Sequence, residues 1–257
     1  MSISSRTVIV VGVRFKGFSS EHPDVMTISQ ILEELQTGMH GTEGGTIRLR
    51  PGQGLTAADW ERLEAVVVRV GVAHRMHLDP FATEPLGTAE VHKRLPSNAL
   101  VAALHSTEPG VFRAALRIHN DNELLLDHQT GQHVQGMVVV EAARQMFLAV
   151  TERYYVAPER RGGYYFVINS MKTTFENFLF PLAAEIEYRV TEAAVGDPTR
   201  LRFAAEIGVH QGGRRCALTE VSFTAFESEL IEGKEHRRAT DAVSHESRLH
   251  AGVGAGA

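Results

Sequence analysis

The chain has 257 residues, enough for one large domain or two small ones, and 43% hydrophobic with 22% charged residues is the make-up of a globular protein with a sizeable core. A formal net charge of −5, with the basic residues scattered, argues against a nucleic-acid surface, which carries a clustered basic excess. Cys216 is the only cysteine, the apolar run before Arg14 is too short for a signal peptide, and no stretch reaches the ~18 apolar residues of a membrane span, so the expected location is the cytoplasm.

Residues 1–86 read as a small α/β unit. Residues 7–13 are short and β-branched, as in a buried strand; 25–35 have helical spacing; 46–50 read as a strand; 57–70 read as an amphipathic helix behind Thr56, a candidate N-cap. The glycine-rich stretch 38–45 has no Gly-Lys-Ser/Thr after it, which excludes a P-loop and leaves a turn between helix and strand; residues 12–17 carry no dinucleotide fingerprint either. Pro80, Pro85 and Gly87 punctuate a loop that marks the boundary.

Residues 87–230 form the main domain. Alternation over 111–119 suits a half-buried strand, and 124–126 reads as a second short one. A turn built on Asp127, His128, Gly131 and Gly136 leads into about 19 residues without Gly or Pro, a helix of roughly 30 Å. Pro158 and the charged loop 159–163 stop it. Strands are expected at 164–170, 172–178, 184–192, 201–211 and 214–227, with Gly212-Gly213 as a hairpin turn. Beyond residue 231 the chain is polar and poor in aromatics, so 231–257 is expected to be a disordered tail with His236, His245 and His250 solvated.

The helix lacks a polar face over its first four turns. Met137, Val138, Val139, Val140, Ala142, Ala143, Met146, Phe147 and Leu148 cover nearly its whole circumference, so it should be surrounded by protein. Glu141, Arg144 and Gln145 interrupt that cylinder at i, i+3 and i+4 and share one side. A buried carboxylate or guanidinium is costly unless paired, so the patch must pair internally or face a cleft.

DHxxGxHVxGMVVVEAARQ, over 127–145, resembles the A-factor biosynthesis (AfsA-type) hotdog family and, more distantly, the hotdog hydroxyacyl-thioester dehydratases. Glu90-Val-His-Lys-Arg94 with Asn98 is similar to the family's opening segment, and 165–181 to the strand pair after its helix; the resemblance spans about residues 88–227. It implies an α+β hotdog fold, an antiparallel sheet wrapped around one long buried helix, preceded here by the α/β unit. Family members that make A-factor-like signals look like two hotdogs in tandem, whereas only one is evident here. A single hotdog usually buries its sheet edge and helix flank against a second copy, so a homodimer with sites between subunits is expected.

The reaction the family implies is transfer of a β-ketoacyl group from an acyl-carrier-protein or coenzyme A thioester to a hydroxyl of a small phosphorylated acceptor such as dihydroxyacetone phosphate, feeding a butyrolactone-type signal or secondary metabolite. No bound cofactor or metal is required, and His128 with His133 makes no metal site because no third ligand is evident. Glu141 and His128 are the base candidates. Glu141 sits where the family carries a functional carboxylate, or forms a structural ion pair with Arg144; His128 sits where the dehydratases carry an acid/base histidine, or closes the turn. Gly136 would let a thioester approach the helix N-terminus, whose unpaired amides suit a developing oxyanion, and Gly131 would allow a positive φ. Arg144 and Gln145 would orient substrate, and the acyl chain would lie beside Met137, Val140 and Phe147. Two other functions fit the same residues: dehydration or hydrolysis of an acyl thioester, and catalytically silent acyl binding or scaffolding.

Overall fold

The computed structural model describes residues 5–38, 45–81, 85–127 and 131–251. Strands β1 (Ser5–Val11), β2 (Val25–Thr27), β3 (Thr46–Pro51) and β4 (Met76–Leu78) form a parallel sheet in the order β2-β1-β3-β4, joined through helices α1 (Lys16–Glu21), α2 (Ile28–Thr37) and α3 (Ala57–Arg69). Parallel neighbours need crossovers, and the alternation of short β-branched runs with amphipathic helices supplies them. Val8, Val10, Leu35, Leu49, Trp60 and Leu63 fill the small core. Both longer helices begin at capping boxes, Thr27 with Gln30 and Thr56 with Asp59. The first of these corrects the expected helix over 25–35: Val25–Thr27 is a strand paired with Ile9–Val11, and the helix starts only after the Thr27 cap.

The main domain is a six-stranded antiparallel sheet in the order β5-β6-β8-β9-β10-β7, from β5 (Val101–Glu108), β6 (Val111–Leu116), β7 (Tyr164–Phe175), β8 (Ala184–Ala194), β9 (Arg200–Gln211) and β10 (Arg214–Glu227). A short helix α4 (Glu123–Asp127) precedes the long helix α5 (Gly136–Val150), and the sheet packs around α5 as the α+β hotdog reading requires. Val138, Ala142, Ala143, Met146, Phe147 and Leu148 are buried, and the Phe147 ring stacks on Phe223 of β10 at 4.4 Å between centroids. Truncating such a ring to Ala typically costs about 3–5 kcal/mol. A π-helical turn, Thr151–Tyr155, ends α5 ahead of Pro158.

Four local expectations are corrected. Residues 124–126 are helical, because Asn122 caps α4 by accepting from the Leu124 amide at 3.1 Å. Residues 164–178 hold one strand, not two: no Gly or Pro breaks 164–175, and β7 pairs with β10 throughout, with one register shift at Ser222/Phe223. β5 lies in a stretch with no expected strand; register shifts at Ala102/His105 and Ser106/Glu108, with Ala103 at φ 51°, destroy the period-two pattern. Finally, Ser228–Ala251 is a helix, α6, instead of a disordered tail; it contains no proline and many good helix formers, and it is exposed along most of its length.

The α/β unit is joined to the sheet domain through buried groups. Val11, Phe15, Phe18 and Val25 belong to the main core, and Phe18 stacks on Phe180 at 5.8 Å. Gln53, fully buried, donates from Nε2 to the carbonyls of Leu116 and Leu182 at 3.0 Å each and accepts the Ile118 amide at 2.8 Å. Its own amide donates to Pro181, and the Gly54 amide to Ile118. Here Gly12 and Gly54 meet backbone to backbone: a Cβ on Gly12 would lie 2.2 Å from the Gly54 carbonyl oxygen.

Candidate functional site

Helix α5 opens without a side-chain cap: Gln135, its N-cap residue, is extended and makes no capping bond. Gly136 at its head lines an apolar cavity of about 550 Å³, together with His133, Val139, Phe175, Phe178 and Cys216. A Cβ on Gly136 would come 2.9 Å from the far edge of the Phe175 ring, so a larger residue there would displace that exposed ring from the cavity wall. Burial raises the Cys216 thiol, which leaves it protonated and apolar in character.

One turn on, the expected trio assembles. Glu141 accepts two bonds from Arg144, at 2.8 and 3.0 Å, and one from Gln145 Nε2 at 3.0 Å. Lys93 Nζ lies 2.7 Å from Glu141 Oε1, a partner that no local pattern disclosed. Burial pushes the Glu141 carboxyl up, but the bonds from Arg144, Lys93 and Gln145 and the Arg144 charge together hold it below the usual carboxylate range. It is therefore an anion at neutral pH. Gln145, fully buried, also accepts the Leu100 amide at 2.7 Å and donates to the Asn98 carbonyl at 2.8 Å, so it anchors the strand-leading loop to the helix. Lys93, Asn98, Asn122, Glu123, Leu124 and Glu141 line a small cleft of about 110 Å³.

Segment 90–93 is pinned along the helix by two ion pairs and a histidine–carboxylate contact. Arg153 grips Glu90 with two bonds of 2.8 Å, His92 meets the buried Glu152 at 3.1 Å, and Lys93 meets Glu141. His92 holds φ at 50°, a left-handed conformation uncommon outside glycine, to reach its partner. The sequence held a signal for this in the Glu90-to-Arg94 motif, but no indication of which helix residues it would meet.

The structure thus brings Glu141, Arg144 and Gln145 together and sets Gly136 apart from them. The Gly136 cavity and the Glu141 cleft have no lining residue in common. Met137 is 57% exposed and lines neither, and Phe147 is packed in the core; Val139, Phe175 and Phe178 line the apolar space instead. His133, expected to be a turn residue near solvent, is half-buried at the cavity wall beside Phe178. His128 lies outside the described residues. Among the described residues no group of three or more His, Cys, Asp or Glu side chains could hold a metal ion, and no helix is long and apolar enough to cross a membrane.

The family model described as the A-factor biosynthesis hotdog domain matches residues 75–227. No curated protein sequence matches the chain. Among solved structures, a thioesterase from Haemophilus influenzae is similar at 9% identity, over 58% of this chain and 94% of that one, with a TM-score of 0.39. A conserved protein from Pseudomonas aeruginosa is 17% identical over 48% of this chain and 86% of its own, at a TM-score of 0.35. A hypothetical thioesterase from Streptococcus pneumoniae, solved with coenzyme A, is 11% identical over 48% and 84%, at 0.33.

Proposed function

The chain belongs to the A-factor biosynthesis hotdog domain family, and on that premise we propose that it is an acyltransferase acting on acyl thioesters. It moves a β-ketoacyl group from an acyl carrier protein or coenzyme A onto a hydroxyl of a small phosphorylated acceptor, in a butyrolactone-type or related secondary-metabolite pathway of the cytoplasm. The observation that carries this reading is the Glu141 cluster: an ionised carboxylate in a cleft with two cations, Lys93 and Arg144, against it.

In the proposed reaction the acceptor hydroxyl attacks the thioester carbonyl carbon. Glu141 takes the hydroxyl proton as the C–O bond forms, the C–S bond breaks, and the proton passes to the departing thiolate. Lys93 and Arg144 suit an acceptor phosphate, the guanidinium through its forked donors. The uncapped amides at Gly136 suit the tetrahedral oxyanion, where losing one donor typically costs ~2.7–4 kcal/mol of transition-state stabilisation. The apolar cavity beside Gly136 suits the acyl chain. His128 is the second candidate for the proton transfers.

The protein is proposed to act as a homodimer. Among the described residues β7 is a sheet edge of 12 residues with no strand on one side, and it exposes Tyr165, Ile168 and Phe175.

Mass spectrometry of the protein incubated with a β-ketoacyl-coenzyme A, with and without dihydroxyacetone phosphate, tests the reading beside Glu141→Ala. A new ester that needs the acceptor and disappears in the variant is expected. Loss of the acyl group or of water regardless of acceptor would replace it with hydrolysis or dehydration, and no turnover at all would leave an acyl-binding protein.

A further inference from the structure

Arg117 follows β6 at a position that strand alternation assigns to the polar face of the sheet. It is nevertheless only 9% exposed, because the α/β unit covers it. Long cationic side chains are seldom buried without a carboxylate, since removing the charge from water is costly unless an opposite charge or good hydrogen bonds replace the solvent. Among the described residues no carboxylate pairs with Arg117. Its contacts are the Phe81 ring, 4.3 Å below the guanidinium, and the carbonyls of Gly52 and Leu55 at 3.5 and 3.4 Å, long for hydrogen bonds. Burial lowers its pKa to about 10, which still leaves it charged at neutral pH.

Arg117 lines a cavity of about 390 Å³ between the two domains. The cavity lies beyond the carboxyl ends of β3 and β4, the edge at which parallel α/β sheets receive ligands. Thr56 and Ala57, at the start of α3, form part of its wall, but the Asp59 carboxylate already accepts the Thr56 amide and hydroxyl at 2.9 and 2.7 Å, so Arg117 is the group left to attract an anion. Most of the rest is apolar, chiefly Phe81, Leu86 and Ile118, with Thr88 and the half-buried His119 as further polar groups, and the exposed Pro85 and Gly87 stand at its rim. A buried cation and a largely apolar wall meet in one space.

We propose that this cavity binds a small organic anion, a phosphate monoester or a carboxylate, with its head on Arg117 and its apolar body against Phe81, Leu86 and Ile118. The site is separate from the Glu141 cluster and does not depend on the acyl-transfer reading. It would make the junction between the domains a place where a metabolite binds.

Isothermal titration of the full chain with phenyl phosphate, benzoate and inorganic phosphate tests this. Phenyl phosphate or benzoate is expected to bind at one site, and about tenfold more tightly than inorganic phosphate because of the apolar body; which of the two binds identifies the head group. Arg117→Met, which keeps an apolar stem, should weaken binding by at least about tenfold through loss of the charge-assisted bonds. Its melting temperature without ligand should not fall, since among the described residues no carboxylate pairs with the charge and its two carbonyl bonds are long. Leu86→Trp, which fills the cavity and leaves Arg117 in place, should lose the aromatic anions as well. Absence of saturable binding by all three anions, unchanged binding in Arg117→Met, or a lower melting temperature of that variant would overturn the proposal, the last by marking Arg117 as a structural donor.

Discussion

Replacing Glu141 with Gln keeps the side chain's shape and removes its charge. Gln retains one carbonyl oxygen, able to accept from one or two of the three donors now at 2.7–3.0 Å, and its amide would turn an N–H toward a cation. Breaking a fully buried ion pair costs about 3–5 kcal/mol, but Lys93 and Arg144 are 24% and 29% exposed and can regain water. The expected loss at pH 7 is therefore about 1–3 kcal/mol. Its pH dependence has a definite sign. The Glu141 carboxyl is held below the usual range in the fold, so the unfolded chain binds the proton more readily and this residue's stabilisation grows with pH. It is fully present above the unfolded carboxylate pKa and is lost as pH falls through the folded one. Urea unfolding of both proteins between pH 7 and about pH 4 should show the gap narrowing at the acid end. Turnover should fall about 10²–10⁴-fold at temperatures where the variant is fully folded, as for removal of a general base. A gap that is constant with pH would refute the electrostatic account; a stable, folded variant with normal turnover would refute the catalytic one.

Two further outcomes follow from the packing. Gln53→Leu leaves the Ile118 amide and the Leu116 carbonyl without their side-chain partner inside the domain junction, and leaves the Leu182 carbonyl only the longer bond from Gln211. A loss of about 1–3 kcal/mol is expected, with amide exchange at Ile118 accelerating in deuterium-exchange measurements. Ile168→Lys puts a charge on the exposed edge of β7 and should convert the proposed dimer to monomer in analytical ultracentrifugation while leaving the melting temperature of the monomer within a few degrees. A variant that sediments as the parent does would exclude this edge as the interface.

The parts of the fold that could be read in the sequence are those governed by neighbouring residues. Thr56 and Asp59 start α3 through bonds within one turn, and Gly212-Gly213 closes the β9–β10 hairpin with both residues at positive φ. The apolar run of α5 announces a helix buried on all sides. The features that escaped depend on distant partners or on irregular pairing. β5 hides behind two register shifts, and the short helix α4 depends on an Asn122 cap that also holds Ser97, 25 residues upstream. The same division holds in the site: Glu141, Arg144 and Gln145 are three and four residues apart on one helix and were legible together. Lys93 was visible as part of a motif but not as the partner of Glu141, because only the fold brings the loop before β5 onto the helix.

Arg117 shows how far local pattern can mislead about environment. Its place in the alternation of β6 assigns it to water, and the α/β unit, whose family no motif disclosed, takes that water away. Gln53 crosses the same junction and satisfies its polar atoms with backbone groups, so its burial is compensated within the chain. Arg117 has two long contacts and a ring where a guanidinium has five donors. Two polar side chains buried at one junction, one held by bonds of 2.8–3.0 Å and one by two long ones, separate the residue that holds the domains together from the residue proposed to bind something brought to them.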